Sequence, residues 1–327
     1  MSALAPLPAG AWGPKGHHLV NGLAAQALPA SMPAFMRTAQ ARAELTYLGL
    51  ELDLQKGAGK EWDADLDPGH YLDIAGNGVI AGGLPLHALP LTREAYDTQL
   101  RARGGDQYET GYLPYSIVQG WEQLRMDFAY WRVDDYESVH ASSQQVRAAA
   151  AQRRTFDQAL VLRDAGVWGH YVADASQPLH VTVHFNGWGK YPNPSGYSQS
   201  THLHDLFETE FVDRFVTPAD VRAQMSKAAP VRAAHLTTDA QILTAVEAYL
   251  TRSNANVEPL YRIEKSGGFR TGSRQARTFT AGCLALGADE LRDLTVWAWD
   301  DSLNQTIGDD FPQSVRSILS GTPYKGL

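Results

Sequence analysis

Apolar residues recur at helical spacing along most of the chain. In HHLVNGLAAQAL (residues 17–28), Leu19, Leu23 and Ala27 fall in one stripe with Val20 and Ala24, the three-to-four-residue rhythm of an amphipathic helix. GYLPYSIVQGWEQLRMDFAYWRV (111–133) carries that rhythm through Ile117, Trp121, Leu124, Phe128 and Trp131. The pattern predicts further helices over 141–175, 204–216, 239–257 and 287–305. Alternating runs that would mark strands are scarce. Residues 76–90 and 186–200 are rich in Gly and Pro and read as loops. No repeat, low-complexity tract or linker-like block divides the chain. The pattern therefore predicts an all-α fold, a single mostly helical domain over 12–327, with residues 1–11 outside it.

Composition narrows the chemistry. The chain has 327 residues, 44% hydrophobic and 20% charged, which suits a globular core. Its net charge of −8 gives no global attraction to nucleic acid or anionic membrane. No apolar run approaches the roughly 20 residues of a membrane span. Cys283 is the only cysteine, so an intrachain disulfide and a cysteine zinc site are both excluded. The opening MSALAPLPAGA places Ala9-Gly10-Ala11 before Trp12, a small-x-small pattern like a signal-peptidase site. Residues 1–11 read as a signal-peptide remnant, which implies a secreted or periplasmic protein, or as a flexible arm.

Histidines and carboxylates carry the candidate chemistry. In GHYVADASQPLH, His170 and Asp174 are four apart and share one helix face. Pro178 ends that helix, and His180 follows on the turn. His204 and Glu208 repeat the four-residue spacing, while His70 and His17 lie upstream. Nitrogen and carboxylate donors without thiolate suit zinc, with manganese or iron as weaker fits. There is no His-Glu-x-x-His and no Cys-x-x-Cys-His.

WGPKGHHLV, HYLD, HYVADASQPLH and HLHDLFE, ordered between residues 12 and 215, resemble the zinc-dependent phospholipase C and single-strand-specific nuclease superfamily. The resemblance implies one all-helical domain with three zinc ions in a cleft. It implies that His170, Asp174, His70 and an upstream aspartate hold the first ion, with Asp174 bridging to another. Asp53, Asp63, Asp65 and Asp67 are candidates for that aspartate. Asp53 is chosen for spacing and for Lys56 three residues on, where the nucleases carry a basic residue, usually Arg. His180, His204 and Glu208 would hold a second ion. Trp12, through its own amine and carbonyl, and His17 would hold the third, which should bind poorly if residues 1–11 stay attached.

The implied activity is phosphodiester hydrolysis, with Asp53 and Lys56 as catalytic residues and Tyr71, Trp188 and Tyr191 as substrate contacts. Glu208 is phospholipase-like, because the nucleases use Asp there. The five-residue step from Trp12 to His17 is nuclease-like. Single-stranded nucleic acid and a phospholipid headgroup are thus both candidate substrates, with the nuclease preferred. A non-catalytic, zinc-stabilised helical binding protein is the alternative of another class. No obligate protein partner is evident. Asp65, Asp73 and Asp205 are near enough in sequence to hold the outer nitrogens of ligand histidines. His18 and His184 read as groups behind the ligands or at the surface. His87, His140, His202 and His235 read as surface or loop, and Trp121, Trp131, Trp168 and Trp297 as core.

Overall fold

The computed structural model describes residues 12–56, 58–227 and 239–326. The expected leader remnant or arm at 1–11 and His235 lie outside the described residues. The fold is mostly helical. Helices α1 (Pro14–Gln26), α2 (Ala39–Leu48), α3 (Glu51–Gln55) and α4 (Lys60–Leu66) come first. They are followed by α5 (Arg93–Arg101), α6 (Gln107–Thr110), α7 (Leu113–His140) and α8 (Gln144–Asp174). After a long loop come α9 (Leu203–Asp205), a π-helical turn (Leu206–Glu210), α10 (Phe211–Phe215) and α11 (Pro218–Gln224). The last are α12 (Asp239–Asn254), α13 (Val257–Lys265), α14 (Gly268–Thr271), α15 (Arg274–Asp301) and α16 (Val315–Leu319).

Helix starts follow local chemistry. The side chains of Thr38, Thr92, Ser143 and Ser273 each accept a hydrogen bond from an amide in the first turn of α2, α5, α8 and α15, satisfying a donor the helix leaves open. Thr217 and Asp220 form a reciprocal capping box on α11.

The long helices α7 and α8 pack against each other as a hairpin across the turn at 141–143. α1 and α2 pack on α8, and α15 packs on both α7 and α8. Trp121 and Trp168 are buried as expected. The Trp121 indole donates to the Leu294 carbonyl at 3.1 Å, tying α7 to α15. Trp131 and Trp297 are only partly buried, Trp297 against the core. The principal core runs from Trp12 to Ala298, and a smaller one joins Ala129 and Val133 to Ile307, Val315 and Ile318.

Two elements differ from the pattern-based reading. The last long helix begins at Arg274 instead of Gly287. Gly287 lies inside it because a Cβ there would stand 2.7 Å from the Ser176 hydroxyl. The helix expected over 204–216 is interrupted by the π turn. Among the described residues, the only strands are Thr306–Ile307 and Gln313–Ser314, paired antiparallel. No helix there is long and apolar enough to cross a membrane.

Candidate metal centre

Two helices set the first group. Asn21 is one turn beyond His17 on α1, and Gly166 one turn before His170 on α8. The Asn21 amide donates to the Gly166 carbonyl at 2.9 Å and to the Leu45 carbonyl at 3.2 Å, fixing α1 and α2 against α8. One turn along, the His17 and His170 rings stack at 3.9 Å and 8°. The glycine at 169 permits this approach, because a Cβ there would meet the Asn21 amide at 2.6 Å.

Asp174, one turn after His170, is fully buried. Its Oδ2 is 2.9 Å from His70 Nδ1 and 3.3 Å from His170 Nε2. Its Oδ1 instead faces His17 Nε2 at 3.5 Å. Asp53 on α3 completes the group, 3.8 Å from both His17 Nε2 and His170 Nε2. Among the described residues, neither His17 nitrogen has a hydrogen-bond partner, nor does Asp174 Oδ1.

The second group forms where the turn after α8 meets the π-helical segment. His180 sits on a 3-10 turn begun by Pro178. His204 Nε2 is 2.8 Å from Glu208 Oε2, and His180 Nε2 is 3.8 Å from the same oxygen. The i, i+4 pair meets although Glu208 lies in the widened turn, a feature that recurs at functional sites. Gln177, which sequence reasoning missed, donates to Glu208 Oε2 at 2.9 Å. The groups adjoin, with His180 Nδ1 3.9 Å from Asp174 Oδ1.

The outer nitrogens of three histidines are held by main-chain carbonyls, not by the nearby aspartates. His170 Nδ1 pairs with the Gly49 carbonyl at 2.8 Å, His180 Nδ1 with His70 at 2.9 Å, and His204 Nδ1 with Phe185 at 3.1 Å. A donor proton on Nδ1 leaves each Nε2 lone pair free for a ligand. Carbonyls have no residue-type signature, so this set was invisible in the sequence. Asp73 is half-buried, and desolvation pushes its carboxyl up to about 7, while Asp205 is exposed.

Electrostatics make the same point. Burial lowers His17 and His70, reinforced by the neighbouring His170. It pushes His170 down to about 4 against the pull of Asp53. Burial raises Asp174, assisted by Asp53, and pushes Glu208 up to about 6. Lys56 is the one cation acting on both. Burial opposes its charge, but the Asp53 carboxylate 2.9 Å away outweighs this and raises it. His17, His70 and His170 are kept neutral, and buried Asp174 is left short of countercharge, a deficit that a divalent cation corrects. His17, His170 and Asp174, and separately His180, His204 and Glu208, can each hold a metal ion.

Asp53 and Lys56 keep 19% and 20% of their side chains exposed, so they form the accessible wall of an otherwise sealed centre. Trp12 is sealed: its indole donates to Ser176 Oγ at 3.0 Å and packs on Phe207. The Tyr71 hydroxyl donates to the Tyr108 carbonyl at 3.0 Å. Trp188 is 8% exposed, stacked on His184 at 3.8 Å and edged by Tyr261. Its ring faces are covered, while Tyr191 beside it is open. His18 is half-buried, and His202 is exposed with Glu210 3.2 Å away. In comparisons with known proteins, no family model, no curated protein and no solved structure matches this chain.

Proposed function

We propose that the chain is a zinc-dependent phosphodiesterase of nuclease type, an endonuclease or 3'-nucleotidase acting on single-stranded nucleic acid. One observation carries the reading: the two oxygens of buried Asp174 face different histidines. That is the posture of a carboxylate shared between two cations. The unpartnered nitrogens of His17 supply a further donor beside it. All donors are nitrogen or oxygen, which fits zinc. Together with the main chain of Trp12 they provide for three ions.

Bound dications supply Lewis acidity toward phosphoryl oxygens and lower the pKa of water. Asp53, half in the wall and half a donor, orients the attacking water and accepts its proton. The ammonium of Lys56 holds Asp53 in place through Oδ1 and adds positive charge where a phosphodiester gains negative charge. Carbonyls of Gly49, His70 and Phe185 keep the imidazoles turned inward. The stacked His17 and His170 rings close the floor against solvent.

A phospholipase C is the second reading, and a specific observation favours it. Leu54, beside Asp53, and Trp62 on α4 are 58% and 52% exposed, as residues touching a lipid surface would be. The deciding experiment offers zinc-loaded protein beginning at Trp12 both single-stranded DNA and phosphatidylcholine micelles, with and without EDTA. EDTA-sensitive cleavage of DNA alone is the expected result. Cleavage of lipid alone transfers the site to the phospholipase reading. Cleavage of neither, with zinc bound, leaves a non-catalytic zinc-stabilised helical protein.

A further inference from the structure

The acidic chain contains one strongly basic run. Residues 261–279, YRIEKSGGFRTGSRQARTF, hold Arg262, Lys265, Arg270, Arg274 and Arg277 against one acid, Glu264. All five cations are exposed. Arg262 pairs with Glu258 and Lys265 reaches the Ser195 carbonyl. Among the described residues, Arg270, Arg274 and Arg277 have no ion pair within 4.0 Å.

Their placement works against helix stability. Arg274 occupies the first position of the 28-residue helix α15, Arg277 stands three further on, and the first turn holds no acid. Cations at a helix N-terminus oppose its dipole, so these arginines are poorly placed for folding and well placed for an anion.

They also line grooves. One, of about 670 Å³, runs between Arg262 and Arg274 over Phe279 and Ile263. A second, of about 300 Å³, lies between Arg277, Arg274 and Asp220. They share Arg274 and Thr278 and so form one track. The Phe279 ring lies 6.1 Å from Phe207, the neighbour of Glu208, which ties the track to the back of the second donor group. Asp220 is turned toward the Thr217 amide and hydroxyl.

We infer that this arginine track binds the phosphate backbone of a single-stranded nucleic acid, outside the metal centre. The track binds phosphates by charge, and the half-buried Phe279 gives an unpaired base a surface to stack on. A membrane is the poorer occupant, because no large exposed apolar residue occurs between 259 and 281. The inference deepens the nuclease reading by adding a remote contact for long strands.

The test is fluorescence anisotropy of the zinc-loaded protein with a labelled, hydrolysis-resistant phosphorothioate single strand, across a salt series. Arg270→Gln/Arg274→Gln/Arg277→Gln changes exposed side chains only. It is expected to weaken binding at low salt by roughly tenfold or more, and to make the log–log salt slope shallower by about 2. Its hydrolysis of bis(p-nitrophenyl) phosphate is expected to match the parent. Unchanged affinity and slope would overturn the inference. So would arginine-dependent binding to phosphatidylserine vesicles that exceeds binding to the strand. If the small diester is not hydrolysed but the strand still binds through these arginines, the catalytic reading fails while the track stands.

Discussion

A buried imidazole with neither nitrogen bonded forfeits the partners that water would give it, at a cost of about 1–3 kcal/mol for each unsatisfied polar group. His17 is such a residue, and the donors around it explain why it is retained. Lys56 is the residue whose role is most separable from metal binding, because its ion pair among the described residues is with Asp53 Oδ1 at the wall. Lys56→Ala should leave the zinc content unchanged and lower kcat by roughly 10²-fold, with Lys56→Arg recovering most of it. Metal analysis beside steady-state kinetics checks both halves. Loss of zinc in Lys56→Ala would make it a support of the site instead. At this scale, His170 with Asp174 and His204 with Glu208 were legible, because i, i+4 spacing on a helix dictates proximity. His17, His70 and Asp53 come from three other segments, and periodicity alone does not show that they converge. Asn21 and Gln177 left no signal, since a buried amide is distinguished only by the carbonyl or carboxylate it meets.

Elements hold the donors at the required spacing, and two predictions belong here. Gly169→Ala places a methyl 2.6 Å from the Asn21 amide that fixes α1 to α8. The variant should lose about 1–3 kcal/mol and bind zinc about 10–100-fold more weakly, as urea denaturation and competitive chelation will show. An unchanged zinc affinity would mean that the α1–α8 register does not position His17.

The α7–α8 hairpin carries two carboxyl pairs, Asp127 with Asp164 and Asp134 with Asp157. Burial, then the partner acid, pushes Asp127 and Asp157 each up to about 7. Gln123, Arg153 and Arg163 face the same pairs. A raised folded-state pKa means the folded form holds the proton more tightly. That stability is complete below the unfolded pKa near 4 and is lost as pH rises through about 7. Between pH 6 and 8, at saturating zinc, the unfolding free energy from urea denaturation should therefore fall by roughly 1 kcal/mol after solvent screening. Asp127→Asn/Asp157→Asn should flatten the profile. α7 and α8 were plain in the apolar rhythm. The first half of α15 was not, because Gly282 and Gly287 interrupt its pattern, Gly287 at a close approach to Ser176. The π turn was hidden because widening by one residue alters no residue type.

At the scale of the whole molecule, a net charge of −8 coexists with a centre short of positive charge and a basic track outside it. The donors gather in the native fold alone, so metal binding should stabilise that fold by mass action. Free zinc about 1,000-fold above its Kd adds about 4 kcal/mol per site. Chelation should then lower the thermal midpoint by roughly 6 °C for each ion removed, reversibly on adding zinc, as scanning calorimetry would record. An all-helical architecture followed from the absence of alternating runs. The substrate did not, because ligand residues are shared by chemistries that differ only in what lies beside the cleft.

The proposed metal cluster turns on Asp174. The most direct measurement is zinc per chain, by mass spectrometry of metals, in the protein beginning at Trp12 and in its Asp174→Asn variant at the same free zinc. Three ions are expected in the parent and the loss of two in the variant, leaving the ion of His180, His204 and Glu208. A variant that keeps the parent's full zinc content would contradict it.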